Sequence, residues 1–181
     1  MMLWWVPGCL GPFLALLLVG PAIPGASSEV RSCPCTQGCC PAGWYQYRDA
    51  CYYPVVATKQ WKEAEEACKN LVEGAHLASV HSAEENNFIY HLMGTPNDYQ
   101  AKTAYWLGAY DDVEDDSEDE ASWSWTDGSA WDYNNFGTGK PDKDAEGENF
   151  VASWMFEGDA IAWDNYAASL EFMSVCKRAL D

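Results

Sequence analysis

Cysteine and tryptophan landmarks stand in a fixed order from Cys40 to Cys176, and they constrain this chain more than any other feature. Cys40-Pro41-Ala42-Gly43-Trp44 opens the series, followed by Cys51 and Cys68. Tyr105-Trp106-Leu107-Gly108, Trp123-Ser124-Trp125-Thr126-Asp127-Gly128 and Lys140-Pro141-Asp142 come next. Glu148-Asn149-Phe150, Trp163-Asp164-Asn165 and Phe172-Met173-Ser174-Val175-Cys176 close it. The chemistry open to these cysteines depends on the compartment. Leu10 to Gly20 is an apolar run of signal-peptide length, and Pro21, Pro24 and the small residues Gly25-Ala26-Ser27-Ser28 follow it. A membrane anchor needs about 20 apolar residues and usually a basic flank. Here Pro12, Pro21 and Pro24 interrupt the stretch, and no Lys or Arg precedes Arg31. The reading is a signal peptide over residues 1–26, no membrane anchor, and a secreted, extracellular chain.

Export turns thiols into crosslinks. Of the eight cysteines, seven remain once Cys9 leaves with the signal. In a secreted chain they read as disulfides rather than catalytic thiols. Cys33-x-Cys35-x3-Cys39-Cys40 has none of the common zinc spacings. The net charge of −18 belongs wholly to the part after residue 26, because no charged side chain precedes it. That argues against nucleic acid and anionic membrane as partners, since both need a basic surface. Cations, mineral surfaces and basic proteins remain compatible. No Asn-x-Ser/Thr sequon occurs.

Residues 27–39 form a short polar, Cys-rich arm. Trp44 to Val56 alternates aromatic and polar residues, which predicts a hairpin. Thr58 is expected to cap a helix running to about Leu71, with Trp61, Ala64, Cys68 and Leu71 on its apolar face and Gly74 stopping it. Leu77 to Val80 reads as a short strand. Ser82-Ala83-Glu84-Glu85 reads as a capping box, opening a second helix with Phe88, Ile89, Leu92 and Met93 inward and Gly94 at its end. After Trp106 short strands alternate with polar loops, of which 111–122 and 126–149 are long enough to be functional.

The landmark series resembles the C-type lectin-like domain in its long form, with an extra N-terminal hairpin, and the likeness covers about three-quarters of the chain. It implies an α+β fold: two helices flanking small antiparallel sheets that carry a long loop region, over residues 40–181. It also implies the pairings Cys40 with Cys51 and Cys68 with Cys176. The long loop closed by the second pair is worth roughly 4 kcal/mol in the chain-entropy picture. Cys33, Cys35 and Cys39 are then an odd remainder, so one thiol is left to bridge to a second chain or to stay free.

In calcium-binding members of this family the ion is shared between protein oxygens of the long loop and two sugar hydroxyls. A proline between the first two ligands is typically cis. Calcium asks for six to eight hard oxygens. Carried over position by position, the resemblance names Asp142, Glu148, Asp164 and Asn165 as metal and ligand residues. Lys140 stands where mannose-type members carry Glu and galactose-type members Gln. An ammonium has three donors and no acceptor, so it cannot ligate the ion. Either it swings outward and leaves a weaker site, or it sits among Asp142, Glu148 and Asp164 as an internal substitute for the metal. Two like charges about 4 Å apart repel by about 4 kcal/mol in an effective dielectric of about 20, so both cations cannot share the pocket. No Trp follows Asp142 to stack on a sugar.

Two further departures concern the loops. The family's inner disulfide would join the positions of Phe150 and Ala168, and Phe150 is expected to fill that space by apolar contact. Residues 111–120 are acidic at eight of ten positions, which reads as a self-repelling solvated loop or as a diffuse calcium or mineral contact. Asp111 and Asp115 match positions of an auxiliary calcium site in some members, where Lys143 and Asn149 replace other ligands. His76, His81 and His91 suggest no role, and no catalytic triad or carboxylate pair stands out. The expectation is a non-enzymatic recognition protein that binds an extracellular glycan, with calcium as a weakened cofactor. The alternative is a non-sugar binder of a mineral or ice surface, or of a protein.

Overall fold

Alternation of aromatic and polar residues from Tyr45 onward produces the expected hairpin: β1 (Tyr45–Tyr47) pairs antiparallel with β2 (Ala50–Lys59). In this computed structural model, residues 38–94, 103–111, 122–142, 147–156 and 160–180 are described, all within the unit Cys35–Asp181. Cys40 and Cys51 are bonded with Cα atoms 5.5 Å apart, tying the entry of the chain to β2. Cys39 is also disulfide-bonded, to a partner outside the described residues, where Cys33 and Cys35 lie.

The first helix, α1 (Trp61–Leu71), starts later than expected. Thr58 is not its cap, because β2 runs on to Lys59, which pairs with Phe172. Gln60 occupies the cap position without a side-chain bond, and the Trp61 amide donates instead to Ala168 O at 3.2 Å. Trp61, Ala64 and Cys68 face inward, whereas Leu71 is 46% exposed and leaves the expected apolar face. Cys68 meets Cys176 with Cα atoms 5.4 Å apart, across a sequence separation of 108.

The strand expected over Leu77–Val80 pairs as β3 (His76–Leu77), and beyond it Ala78 N donates to Val175 O at 2.9 Å while Ala78 O accepts from Gly108 N at 2.9 Å. The second helix, α2 (Ala83–Met93), is capped by Ser82 Oγ accepting from Glu85 N at 3.2 Å and ends at Gly94 with φ 67°. The reciprocal half of the capping box differs. Glu85 Oε2 accepts from His81 N at 2.9 Å rather than from the cap residue's own amide. Glu85 is drawn inward because its Oε1 accepts from the Tyr52 hydroxyl at 2.5 Å and from Lys177 Nζ at 2.6 Å.

The remaining strands are β4 (Tyr105–Asp111), β5 (Trp123–Trp125), β6 (Phe150–Phe156), β7 (Ala160–Tyr166) and β8 (Phe172–Ala179). The sheet runs β1-β2-β8-β4-β6-β7, with β3 on β8 and β5 on β4. It is mixed rather than purely antiparallel: β4 and β8 run parallel through Tyr105↔Met173 and Trp106↔Ser174. Both helices lie in the connection between β2 and β4, and β4 re-enters the sheet parallel to β8. Gly108 shows how tightly β4 is seated. A Cβ there would lie 2.5 Å from Leu77 O and 2.8 Å from Thr126 Oγ1, so only glycine lets these backbones approach. Two buried clusters form the core. One centres on Trp125, Trp163, Tyr105 and Ile89. The other holds Trp61, Trp106, Phe172 and the Cys68–Cys176 pair.

Candidate functional site

The β6–β7 ladder sets the site, because it pairs Ala152 with Asp164 and Val151 with Asn165. Trp163 anchors this register: it is buried, and its Nε1 donates to Asn86 Oδ1 at 2.9 Å. The loop before Lys140 docks on the same strand. Trp163 N donates to Asn135 O at 2.8 Å, and Gly137 N donates to Trp163 O at 3.0 Å. Lys140 N then closes a turn on Gly137 O at 2.9 Å, and the Lys140–Pro141 peptide is cis.

Asn165 acts as a splint for this loop. Its Oδ1 accepts from Asp142 N at 3.0 Å, while its Nδ2 donates to Asp142 O at 2.5 Å and to Glu148 O at 2.9 Å. One side chain thereby joins both flanks of the loop to β7. The resemblance names Asn165 as a metal ligand, and its role as a backbone tie was missed. An amide carries a donor and an acceptor at once, which was the available signal.

Lys140 lies in the centre. Its ammonium donates to Asp142 Oδ2 and lies 3.1 Å from Asp164 Oδ2. The structure thus brings Lys140, Asp142, Asp164 and Asn165 together, with Glu148 joined through its carbonyl. The Asp142 hydrogen bond, opposed by burial and aided by Asp164, pushes the Lys140 pKa up to about 12. Burial raises the Asp164 carboxyl above its usual range, and the Lys140 bond only partly offsets that rise.

These positions do not suit calcium as they stand. Ca2+ needs six to eight oxygens around one point, and an ammonium occupies the gap between the two aspartates. Among the described residues no group of three or more His, Cys, Asp or Glu side chains is placed to hold a metal. Phe150, expected to make apolar contact, does so with the second core cluster. Phe150 packs 4.5 Å from the Trp61 ring, and both Phe150 and Ala168 pack against the second core cluster.

Of the acidic run, only Asp111 belongs to the described residues. Its Oδ1 accepts from Ser122 N at 3.2 Å and its amide donates to Asn149 O at 2.9 Å. Residues 112–120, with Asp115, and Lys143 lie outside them. His76 Nδ1 meets Glu65 Oε1 at 2.7 Å, and His81 Nδ1 meets Asp132 Oδ1 at 2.7 Å. Among the described residues no helix is long and apolar enough to cross a membrane.

Comparison with known proteins bears on the fold and the family. The Lectin C-type domain family matches residues 57–178. The chain is 32% identical over 141 residues to the galactose-specific lectin nattectin of Thalassophryne nattereri, covering 78% of this chain and 81% of that protein. It is 32% identical over 136 residues to ladderlectin of Oncorhynchus mykiss, covering 75% of this chain and 65% of ladderlectin, just under two-thirds of its length. Among solved structures, a calcium-independent type II antifreeze protein superposes with a TM-score of 0.62 at 28% identity, covering 80% of this chain and 97% of the other. The chain belongs to the C-type lectin domain family, a family of non-enzymatic binding proteins.

Proposed function

We propose that this protein is a secreted recognition protein that binds carbohydrate at the Lys140–Asp142–Asp164 edge with a weakened dependence on calcium. The observation that carries the reading is the Lys140 ammonium bridging Asp142 and Asp164. An internal cation neutralises carboxylates that would otherwise repel, so the loop is held without a metal. Lys140 and Asp142 side chains are 22% and 24% exposed, so a ligand can reach the pair. An ammonium donates and a carboxylate accepts, which together suit the mixed donor and acceptor character of vicinal hydroxyls. A galactose-specific relative supports the sugar assignment. The apolar run of residues 10–20 and the disulfides support secretion. The arm cysteines carry a disulfide-linked dimer in this reading, visible as a double-mass band on a non-reducing gel.

A glycan array of the refolded chain from residue 27, run with calcium and with EDTA, tests the proposal. Glycan binding that persists in EDTA is the expected result. Binding abolished by EDTA would overturn the lysine-for-calcium reading. Absence of glycan binding in both conditions would favour the second reading, a non-sugar surface or protein ligand. That reading draws support from the calcium-independent antifreeze protein that shares the fold.

A further inference from the structure

β1 pairs with β2 at Ala50, Cys51 and Tyr52 and stops there, although β2 is 10 residues long. The chain leading into β1 does not continue along the strand. Trp44 N donates to Pro41 O at 3.0 Å, Gly43 takes φ 86°, and Cys40 is turned back to bond Cys51. Trp44 packs on Tyr53 with ring centroids 5.5 Å apart, and among the described residues no strand pairs with the outer side of residues 54–59. On the inner side the ladder with β8 breaks between Val55 and Lys59, so Val56, Ala57 and Thr58 are exposed three in a row. Among the described residues the exposed large hydrophobics are Tyr45, Val56 and Leu71. The first two lie on this hairpin, 54% and 74% exposed.

Charge and chain length point to the same occupant. Residues 50–58 carry no charged side chain, in a chain with 28 Asp and Glu against 10 Lys and Arg. Copies of so acidic a chain repel over most of their surface, and this strip is where two can meet at least electrostatic cost. The arm before Cys40 supplies a tether. It holds Cys33, Cys35 and Cys39, an odd number, and enters the fold at Cys40, which Cys51 fixes to β2. From Cys35 to Cys40 the chain can reach about 17 Å. From Cys51 to Val56 the strand rises about 17 Å. Two arms joined at such a cysteine therefore span the gap between two Cys51 residues when their β2 strands lie antiparallel with Val56 beside Val56.

We propose that the outer edge of β2 over residues 54–58 is the contact with a second copy of this chain, antiparallel across a two-fold axis near Val56. The inference rests on the disulfide-linked dimer of the proposed function and not on its sugar. A two-fold contact presents the same patch from both chains. Each copy offers the other backbone groups that β1 does not reach, and Tyr45, at the end of β1, closes the seam. Pro54 has no amide to give, which shortens the ladder. The contact alone is therefore weak, and the arm disulfide populates it by making the second encounter intramolecular.

Amide hydrogen exchange on the oxidised chain from residue 27, with sedimentation to count chains, tests the proposal. The reference is Cys33→Ser with Cys35→Ser and Cys39→Ser, which keeps the arm but cannot bridge two chains through it. The amides of Val56, Ala57 and Thr58 are expected to exchange at least about tenfold more slowly in the native dimer than in that reference. Val56→Asp sets like charges face to face at the axis. It should cut the disulfide-linked dimer in a glutathione buffer by about tenfold, at unchanged thermal midpoint. Leu71→Asp, the same change at an exposed residue on α1, should leave the dimer as it was. A native chain that sediments only as a monomer would overturn the dimer and this contact together. A disulfide-linked dimer with unprotected residues 56–58, or with equal losses in the two Asp variants, would leave the dimer standing and overturn the contact. Slow exchange already present in the monomeric serine reference would put the chain's own arm on the edge, and would overturn the contact as well.

Discussion

Lys177 and Lys140 each set an ammonium against carboxylates, yet the two regions are built differently. Lys177 Nζ meets Glu85 Oε1 at 2.6 Å, and also Ser79 O and Oγ at 3.1 and 3.2 Å. One positive charge answers one negative charge there. The arrangement joins β2, β8 and α2, and the neighbouring Cys176 is crosslinked to α1. Burial, and then Glu85, push the Tyr52 phenol up, so its hydroxyl stays a donor to that carboxylate. Lys140 instead faces two carboxylates with one ammonium, on a loop tied by the Asn165 side chain. The first lysine is a structural tie in a crosslinked body. The second leaves a partly exposed, net negative centre, which is the kind of arrangement a ligand can alter.

Removing the body's crosslink should show the largest effect. Cys68→Ala with Cys176→Ala is expected to cost about 4 kcal/mol in urea unfolding, because it frees a long loop in the unfolded chain. A loss below about 1 kcal/mol would mean the body does not depend on its crosslink. Lys177→Met comes next, at about 3 kcal/mol, since it strands the Glu85 charge in a buried site. Adding Glu85→Leu to that variant should recover part of the loss, and failure to do so would argue that packing, not charge, is what Lys177 supplies.

Phe150→Ala probes the place where the loop lacks its disulfide. Loss of the Trp61 contact is expected to cost about 2 kcal/mol by thermal or denaturant unfolding. Lys140→Gln should change stability by no more than about 1 kcal/mol. It removes a positive charge and adds a carbonyl oxygen, so calorimetry should show calcium affinity rising by about tenfold or more. Tight calcium binding by the native chain, unaltered in the variant, would put Lys140 outside the pocket and undo the contrast between the two lysines.

The smallest effect is a titration. Lys140 has a folded pKa of about 12 against an ordinary 10.5, so its stabilising contribution is complete below about 10.5 and is lost as pH rises through about 12. In a 13C-labelled chain, one lysine Cε signal, missing from Lys140→Gln, should titrate near 12. A Lys140 signal titrating at the ordinary value would break its pairing with Asp142 and Asp164.

Local chemistry was legible where neighbours in sequence are neighbours in space. Ser82 and Gly94 bound α2 as their residue types require. The capping box was only half right, because Glu85 also answers Tyr52, 33 residues away, and Lys177, 92 residues away. Thr58 misled for the same reason. A threonine before an apolar periodicity is a good cap, but the ladder from Lys59 to Phe172 extends β2 past it.

The ordered Cys and Trp landmarks determined the family, the two disulfides and the loop that carries the candidate site. These follow from residue type and order, since each landmark fills one position in a packed fold. The resemblance also implied that Lys140 stands where other members carry a ligand, and an ammonium has no lone pair to offer. It left the direction of that side chain open. A flexible four-carbon stem can carry the charge inward or outward, and the choice depends on where β7 sets Asp164 and where Asn165 pins Asp142. Those residues are distant in sequence, so only the folded sheet brings two carboxylates within reach of one ammonium and decides that it turns in.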